Sequence, residues 1–213
     1  MEFNPIDIFL HLDVYLGQLV SSYGTWVYAI LFMVIFCETG LVVTPFLPGD
    51  SLLFVAGTIA ATGGMDPYIL VGCLMAAAIL GDSTNYFIGR FIGEKLFANP
   101  DSKVFRRDYL ARTHAFYDRH GGKTVTMARF VPIVRTFAPF VAGVGEMPYL
   151  RFLAYSVFGT ILWVGGIVTL GYQFGNVPLI KDNLSMVLIG IVGLSFMPAV
   201  IEYLRSRLRT AKD

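Results

Sequence analysis

Arg129-Phe-Val-Pro-Ile-Val-Arg135-Thr-Phe-Ala-Pro139-Phe-Val-Ala-Gly-Val-Gly145 is too apolar to leave a membrane, yet too broken and too charged to cross one simply. A second stretch, Glu38 to Gly64, has the same character. It sets Glu38 and Asp50 among apolar residues, places Pro45, Pro48 and Gly49 before a short apolar arm from Ser51 to Thr62, and closes on Gly63-Gly64. That arm is well short of the roughly 20 residues that cross about 30 Å of hydrocarbon. In the later stretch Pro132 and Pro139 each remove a backbone donor, which predicts a segment that dips in and turns back. Both stretches therefore read as re-entrant hairpins, at about 38–64 and 124–147. Irregular backbone at bilayer depth survives only where it is buried in protein or lines a wet cavity.

Composition sets the class around these hairpins. Of 213 residues 55% are apolar and 15% charged, and the mean hydropathy is +0.65, which marks an integral membrane protein. A net charge of +1 leaves no electrostatic footprint for nucleic acid. Cys37 and Cys73 lie in apolar runs as small hydrophobes, and neither their number nor their spacing suggests a metal site or a disulfide framework. Four spans follow from length: Thr25 to Thr44, Tyr68 to Gly89, Phe152 to Tyr172 and Leu184 to Leu204. Residues 1–24 lack the positive start of a secretory signal and carry Phe9, Leu12, Leu16, Leu19 and Tyr23 on one helical face, which predicts a helix lying at the interface. The expected organisation is an interfacial helix over 1–24, one membrane transport domain over 25–204 and a basic tail over 205–213.

Lysine and arginine set the orientation. The 93–123 loop and its flanks carry Arg90, Lys95, Lys103, Arg106, Arg107, Arg112, Arg119 and Lys123, and the tail carries Arg205, Arg207, Arg209 and Lys212, whereas the loop from Gln173 to Asn183 has only Lys181. Loop, tail and amino terminus are therefore expected on the cytoplasmic side. The two hairpins then enter from opposite faces, an inverted repeat in outline, echoed by Ala56-Gly57 after Pro45 and Ala142-Gly143 after Pro132. Transporters of that design keep their sites near the midplane. The fold class expected is all-α and polytopic, with about four transmembrane helices and two oppositely oriented re-entrant hairpins.

Each charge at a helix centre costs roughly 2.5 to 3.5 kcal/mol even on the mild insertion scale, so the four charges Glu38, Asp50, Arg129 and Arg135 are expected to pair, neutralise or hydrate one another. A carboxylate in such surroundings is a candidate proton carrier; a static ion-pair lock is the competing role. Paired arginines suit an anionic headgroup, because the planar guanidinium matches phosphate bidentately and does not deprotonate. Phe130, Phe137, Phe140 and Val141 beside them suit an apolar tail. Asp82, Tyr86 and Arg90 fall at steps of four and form either a polar seam or packing contacts on one helix face. Glu146 and Arg151 belong at the interface. His114, His120 and Asp118 read as a solvated face rather than a metal site, and Gly122-Lys123-Thr124 lacks the first glycine of a phosphate loop, with Tyr117 in its place. No metal and no cofactor are expected.

The runs Phe36-Cys-Glu-Thr-Gly40, Pro45-Phe-Leu-Pro-Gly-Asp50, Gly81-Asp82 with Tyr86 and Gly89-Arg90, and Ala128-Arg-Phe-Val-Pro-Ile-Val-Arg135 through Pro139-Phe-Val-Ala-Gly143 resemble the DedA family of bacterial inner-membrane proteins, from about Tyr23 to Tyr172. The resemblance implies a transporter that returns undecaprenyl phosphate across the inner membrane in dependence on the proton gradient. It also implies that the acids matching Glu38 and Asp50 and the arginines matching Arg129 and Arg135 are needed for activity. Three functions stay open: a proton-coupled flippase for a lipid with an anionic headgroup, which the resemblance makes a polyprenyl phosphate, a proton or cation antiporter with the arginines as a gate, and a membrane lipid-phosphate enzyme. The enzyme is disfavoured because none of the three histidines falls in a membrane segment. Partners are the lipid phosphate, protons and membrane lipids; a homo-oligomer is compatible with the sequence.

Overall fold

The computed structural model describes residues 12–41, 49–96, 122–175, 177, 186, 187, 190 and 193. The helices there are α1 (Leu12–Tyr23), α2 (Trp26–Gly40), α3 (Gly49–Ala61), α4 (Pro67–Leu96), α5 (Lys123–Ala128), α6 (Pro132–Val144) and α7 (Tyr149–Thr160), continued by a π-helical turn (Ile161–Gly165) into α8 (Gly166–Phe174). Strands are absent among the described residues. Among the described residues two helices are long and apolar enough to cross a membrane, Pro67–Ile92 within α4 and Tyr149–Phe174 across α7 and α8. They coincide with the second and third expected spans. Where Thr25 to Thr44 was expected to cross, α2 has 15 residues and ends at Gly40. The interval 42–48 with Pro45 and Pro48, most of the fourth expected span, most of the basic loop and both termini lie outside the described residues.

Two of the expected breakers begin helices instead. Pro132 opens α6 at a position where the missing N–H would have had no partner, and its fixed φ already suits a helix. Gly49 is the first, buried residue of α3. Pro139 does not end α6 either: the helix runs through it, without the hydrogen bond residue 139 would otherwise give to the Arg135 carbonyl. At 13 residues each, α3 and α6 are about 20 Å long, shorter than the hydrocarbon layer.

The chain divides into two compact units, one of 1–32, 47–74 and 164–213 and one of 33–46 and 75–163, with boundaries inside α2, α4 and the π turn. In the first unit α3 packs on α8 through Gly57 and Gly171. A Cβ on Gly57 would run into the Val168 carbonyl, and one on Gly171 into the Phe54 carbonyl. In the second unit α6 packs on α4 through Gly143 and Gly89, where a Cβ would run into the Tyr86 and Phe140 carbonyls respectively. In all four cases the obstructing carbonyl belongs to the residue one turn before the partner glycine. The intervals Pro67 to Gly89 and Tyr149 to Gly171 are also equal. Close backbone approach between small residues holds helices together where lipid supplies no hydrophobic drive.

The two short helices also stop alike. Gly63 has φ +83°, with its N–H on the Ala60 carbonyl and that of Gly64 on the Ile59 carbonyl. Glu146 has φ +50°, with its N–H on the Gly143 carbonyl and that of Met147 on the Ala142 carbonyl. Both are Schellman-type caps, which turn the chain at once into the long helix that follows. Asp66 then caps α4, its carboxylate accepting the Tyr68 and Ile69 N–H groups at 2.9 and 3.0 Å. In the first unit Leu16 is buried and α1 packs on α3, while Tyr23, expected on the same face, is 56% exposed.

Candidate functional site

Four helices of the second unit bring charge to one place. Glu38 comes from the last turn of α2, Asp82 from the middle of α4, Arg129 from the residue that ends α5, and Arg135 from the first turn of α6. The break between α5 and α6 matters here: the Phe130 and Val131 N–H groups close onto Met127 and Ala128, and the Arg135 N–H opens the next helix on the Val131 carbonyl. The two arginines thus stand on either side of a turn and face inward together.

Each has its own acid. Arg129 pairs through Nη2 with Asp82 Oδ2, and Arg135 pairs through Nη2 with Glu38 Oε1. All four side chains are nearly removed from solvent, Glu38 completely. The Ser156 hydroxyl of α7 donates to Asp82 Oδ2 at 2.6 Å and accepts from Arg129 Nη2 at 3.5 Å. Trp163, in the π turn, lies under both guanidinium groups, 4.8 Å from Arg135 Cζ and 5.5 Å from Arg129 Cζ to its ring centre. A π turn shifts helical register by a residue and is frequent at functional sites. Here it presents an indole face, the strongest aromatic partner for a guanidinium.

Around the charges the backbone is held tightly. Asn85 donates from Nδ2 to the Thr39 carbonyl at 3.1 Å and the Thr136 carbonyl at 2.7 Å, tying α2 and α6 to α4. Gly81 lets the end of α2 approach, since a Cβ there would overlap Thr39 Oγ1, and a Cβ on Gly40 would stand 3.2 Å from Gly81 Cα. The space lined by the four charges, Thr39, Thr136 and Trp163 is about 10 Å³, room for one water at most. On the outside of α5 and α6 the story is different. Met127, Phe130, Val134 and Phe137 form an exposed apolar stripe next to the arginines, whereas Phe140 and Val141 are partly buried, Val141 against the Tyr86–Phe152 core.

The expected set of four charges is thus placed as follows. Glu38, Arg129 and Arg135 meet in one site, and Asp82, which the sequence put on a polar seam, takes the place opposite Arg129. Asp50 belongs to the first unit, half-buried in the first turn of α3. Counted back from the packed glycines Gly57 and Gly143, it stands at the same place in α3 as Thr136 does in α6. Tyr86 and Arg90 continue from Asp82 along α4, Arg90 Nη1 donating to the Tyr86 hydroxyl at 3.0 Å and that hydroxyl donating to the Met147 carbonyl. Glu146 and Arg151 are exposed. Trp163 and Ser156 carried no signal in the sequence: each sits in a span whose hydropathy reads as plain membrane helix.

The family model of the VTT domain matches residues 47–173. The chain is 57% identical over 209 residues to protein DedA of Escherichia coli K12, covering 97% of this chain and 95% of that protein. It is 43% identical over 184 residues to an uncharacterized membrane protein of Mycobacterium leprae, 85% and 82% of the two chains. It is 35% identical over 157 residues to the inner membrane protein YghB of Escherichia coli K12, 74% and 72% of the two. No solved structure matches.

Proposed function

The chain belongs to the DedA family of VTT-domain membrane proteins, and from that premise we propose that it carries a polyprenyl phosphate, undecaprenyl phosphate in a bacterium, across the inner membrane with coupling to protons. One observation carries the reading: two arginines, Arg129 and Arg135, share a single buried site and one tryptophan face. A fixed pair of guanidinium forks offers a phosphate two bidentate partners that keep their charge at any physiological pH. The exposed stripe Met127, Phe130, Val134 and Phe137 beside them gives an isoprenoid tail a greasy track, which an inorganic anion would not need.

In this reading Glu38 and Asp50 load and release protons, and the short helices α3 and α6 are the arms of re-entrant hairpins from opposite leaflets. The matching glycine contacts and matching caps of the two units support an internal repeat; in transporters built from inverted repeats, alternating access arises by rocking around a fixed midplane site. The protein is multi-pass in the inner membrane, with both termini in the cytoplasm. Of the three relatives named above, two bear the names of a membrane and an inner membrane protein.

Reconstitution tests the proposal. Purified protein in liposomes should translocate polyprenyl phosphate, faster with an imposed pH gradient, and Arg129→Ala or Arg135→Ala should abolish it. Folded, inserted alanine variants that move the lipid at the normal rate would end the phosphate-binding role. Release of inorganic phosphate from the lipid would favour the enzyme, and proton or cation flux without lipid the antiporter.

A further inference from the structure

The closed state of the charge site constrains how a phosphate could enter it. This step rests on the transport reading above. Among the described residues the two arginine–carboxylate pairs balance each other's charge, and the space beside them, about 10 Å³, holds a water but no phosphate. A phosphate monoester brings three acceptor oxygens and a charge of about −2 above its second ionisation. Each acid holds one Nη2 of its arginine and the space beside the pairs is too small for a phosphate, so a phosphate that grips both Nη2 groups takes the places that Asp82 and Glu38 now hold. The displaced acids start out of reach of bulk water, Glu38 fully buried and Asp82 3% exposed. A carboxylate stripped of its partner in such a place is strongly disfavoured as the anion.

We propose that phosphate binding and protonation are one exchange at this site, in which Asp82 and Glu38 each take up a proton as phosphate oxygens replace them on Arg129 and Arg135. Asp82 is thereby a proton-carrying acid alongside Glu38. The balance is simple: two ion pairs, one phosphate dianion and two protons become two arginine–phosphate contacts and two neutral carboxyl groups. The net charge of the site is zero before and after. The protons come from the water on the side from which the lipid enters and leave when the lipid departs and the ion pairs re-form.

The surroundings fit both halves of the exchange. Among the described residues, the charged groups facing Asp82 and Glu38 are Arg129 at the end of α5 and Arg135 in α6, and the cavity is also lined by the hydroxyl residues Thr39 and Thr136 and the indole of Trp163. Ser156 Oγ, 2.6 Å from Asp82, can donate to the carboxylate or turn to accept from the carboxylic acid. Trp163 does not titrate, so it keeps a hold on both guanidinium groups at the moment their acids let go.

The test is proton counting on the full-length protein in detergent, with farnesyl phosphate as the probe. Calorimetry in buffers of different ionisation heat, above about pH 6 where the monoester is a dianion, should give an uptake of about two protons per ligand. Because protons bind with the ligand, affinity should fall as pH rises, more steeply than the tenfold per pH unit that one proton would give. Asp82→Asn and Glu38→Gln should each remove about one proton and flatten the slope accordingly, and the double variant should lose the two-proton uptake that this site supplies. Wild-type binding without proton uptake would overturn the exchange while leaving phosphate recognition intact, and needs no variant. So would an Asp82→Asn protein, monodisperse and binding, that retains the wild-type proton count. Absence of farnesyl phosphate binding to wild type at every pH would sink the transport reading itself and this exchange with it.

Discussion

Gly143 and Gly89 face each other so closely that neither has room for a methyl group: each looks straight into the carbonyl of the residue one turn before the other. Gly57 and Gly171 repeat the contact in the first unit. Alanine at Gly143 would have to push α6 off α4, and overpacking of that kind costs about 1–3 kcal/mol. Thermal melts of the detergent-solubilised protein should show Gly143→Ala and Gly57→Ala both strongly destabilised. Gly72 and Gly166, which have open space where a Cβ would go, should accept alanine with little loss. Equal tolerance at all four positions would remove the glycine contacts as the cement of the fold.

Asn85 is the polar tie of the charge site, and its loss should loosen α2 and α6 rather than empty a pocket. Asn85→Leu leaves the Thr39 and Thr136 carbonyls without the donor they now share. Hydrogen bonds between membrane helices average about 0.6 kcal/mol, with a maximum near 1.7. A total loss of about 1–2 kcal/mol is therefore expected, read as a lower melting temperature. Since Asn85 touches neither arginine by a direct hydrogen bond, lipid phosphate affinity should fall less than in any arginine variant.

Much of the fold was legible from hydropathy and breakers alone, because spans and half-spans differ in length. Ser51 to Thr62 and the run after Arg129 emerged as short apolar helices, and the spans at Tyr68 and Phe152 as long ones. Prolines misled for a definite reason. A proline at the first helical position and one in a helix interior look alike in sequence, so Pro132 read as a break where it is a start. Arg129, Arg135 and Glu38 stood out because charge in an apolar run is costly. Asp82 was seen too, but its partner was not, since pairing across 47 positions leaves no local trace. Trp163 was invisible for a related reason: only the π turn and the proximity of both guanidinium groups distinguish it from an ordinary membrane aromatic.

Glu146 occupies the left-handed position that ends α6, where its counterpart after α3 is Gly63. A side chain with a Cβ pays about 1–2 kcal/mol there relative to a right-handed conformation, a strain that glycine escapes. Glu146 is exposed, so its carboxylate is not needed for packing. Glu146→Gly should raise the thermal stability by up to about 1 kcal/mol without changing lipid binding. The reverse change at the other cap, Gly63→Glu, should lower it by a similar amount even though a Cβ there meets nothing within 4 Å. If both substitutions were silent, backbone conformation would not be limiting at these turns.

Arg135→Lys separates shape from charge. Lysine keeps the positive charge and can still reach toward Glu38, so a site that needs only electrostatic balance would tolerate it. What it loses is the planar fork and its seat 4.8 Å above the Trp163 ring, together the features that let one side chain grip a phosphate bidentately while stacked. One charge-assisted hydrogen bond is worth about 1.5–3 kcal/mol, so lipid translocation in proteoliposomes should drop about tenfold or more while the melting temperature moves far less. Trp163→Phe should lower translocation in the same direction and by less, because a smaller ring still offers a face. Should lysine at 135 transport at the wild-type rate, the site would be a charge lock, and the phosphate would have to be recognised elsewhere.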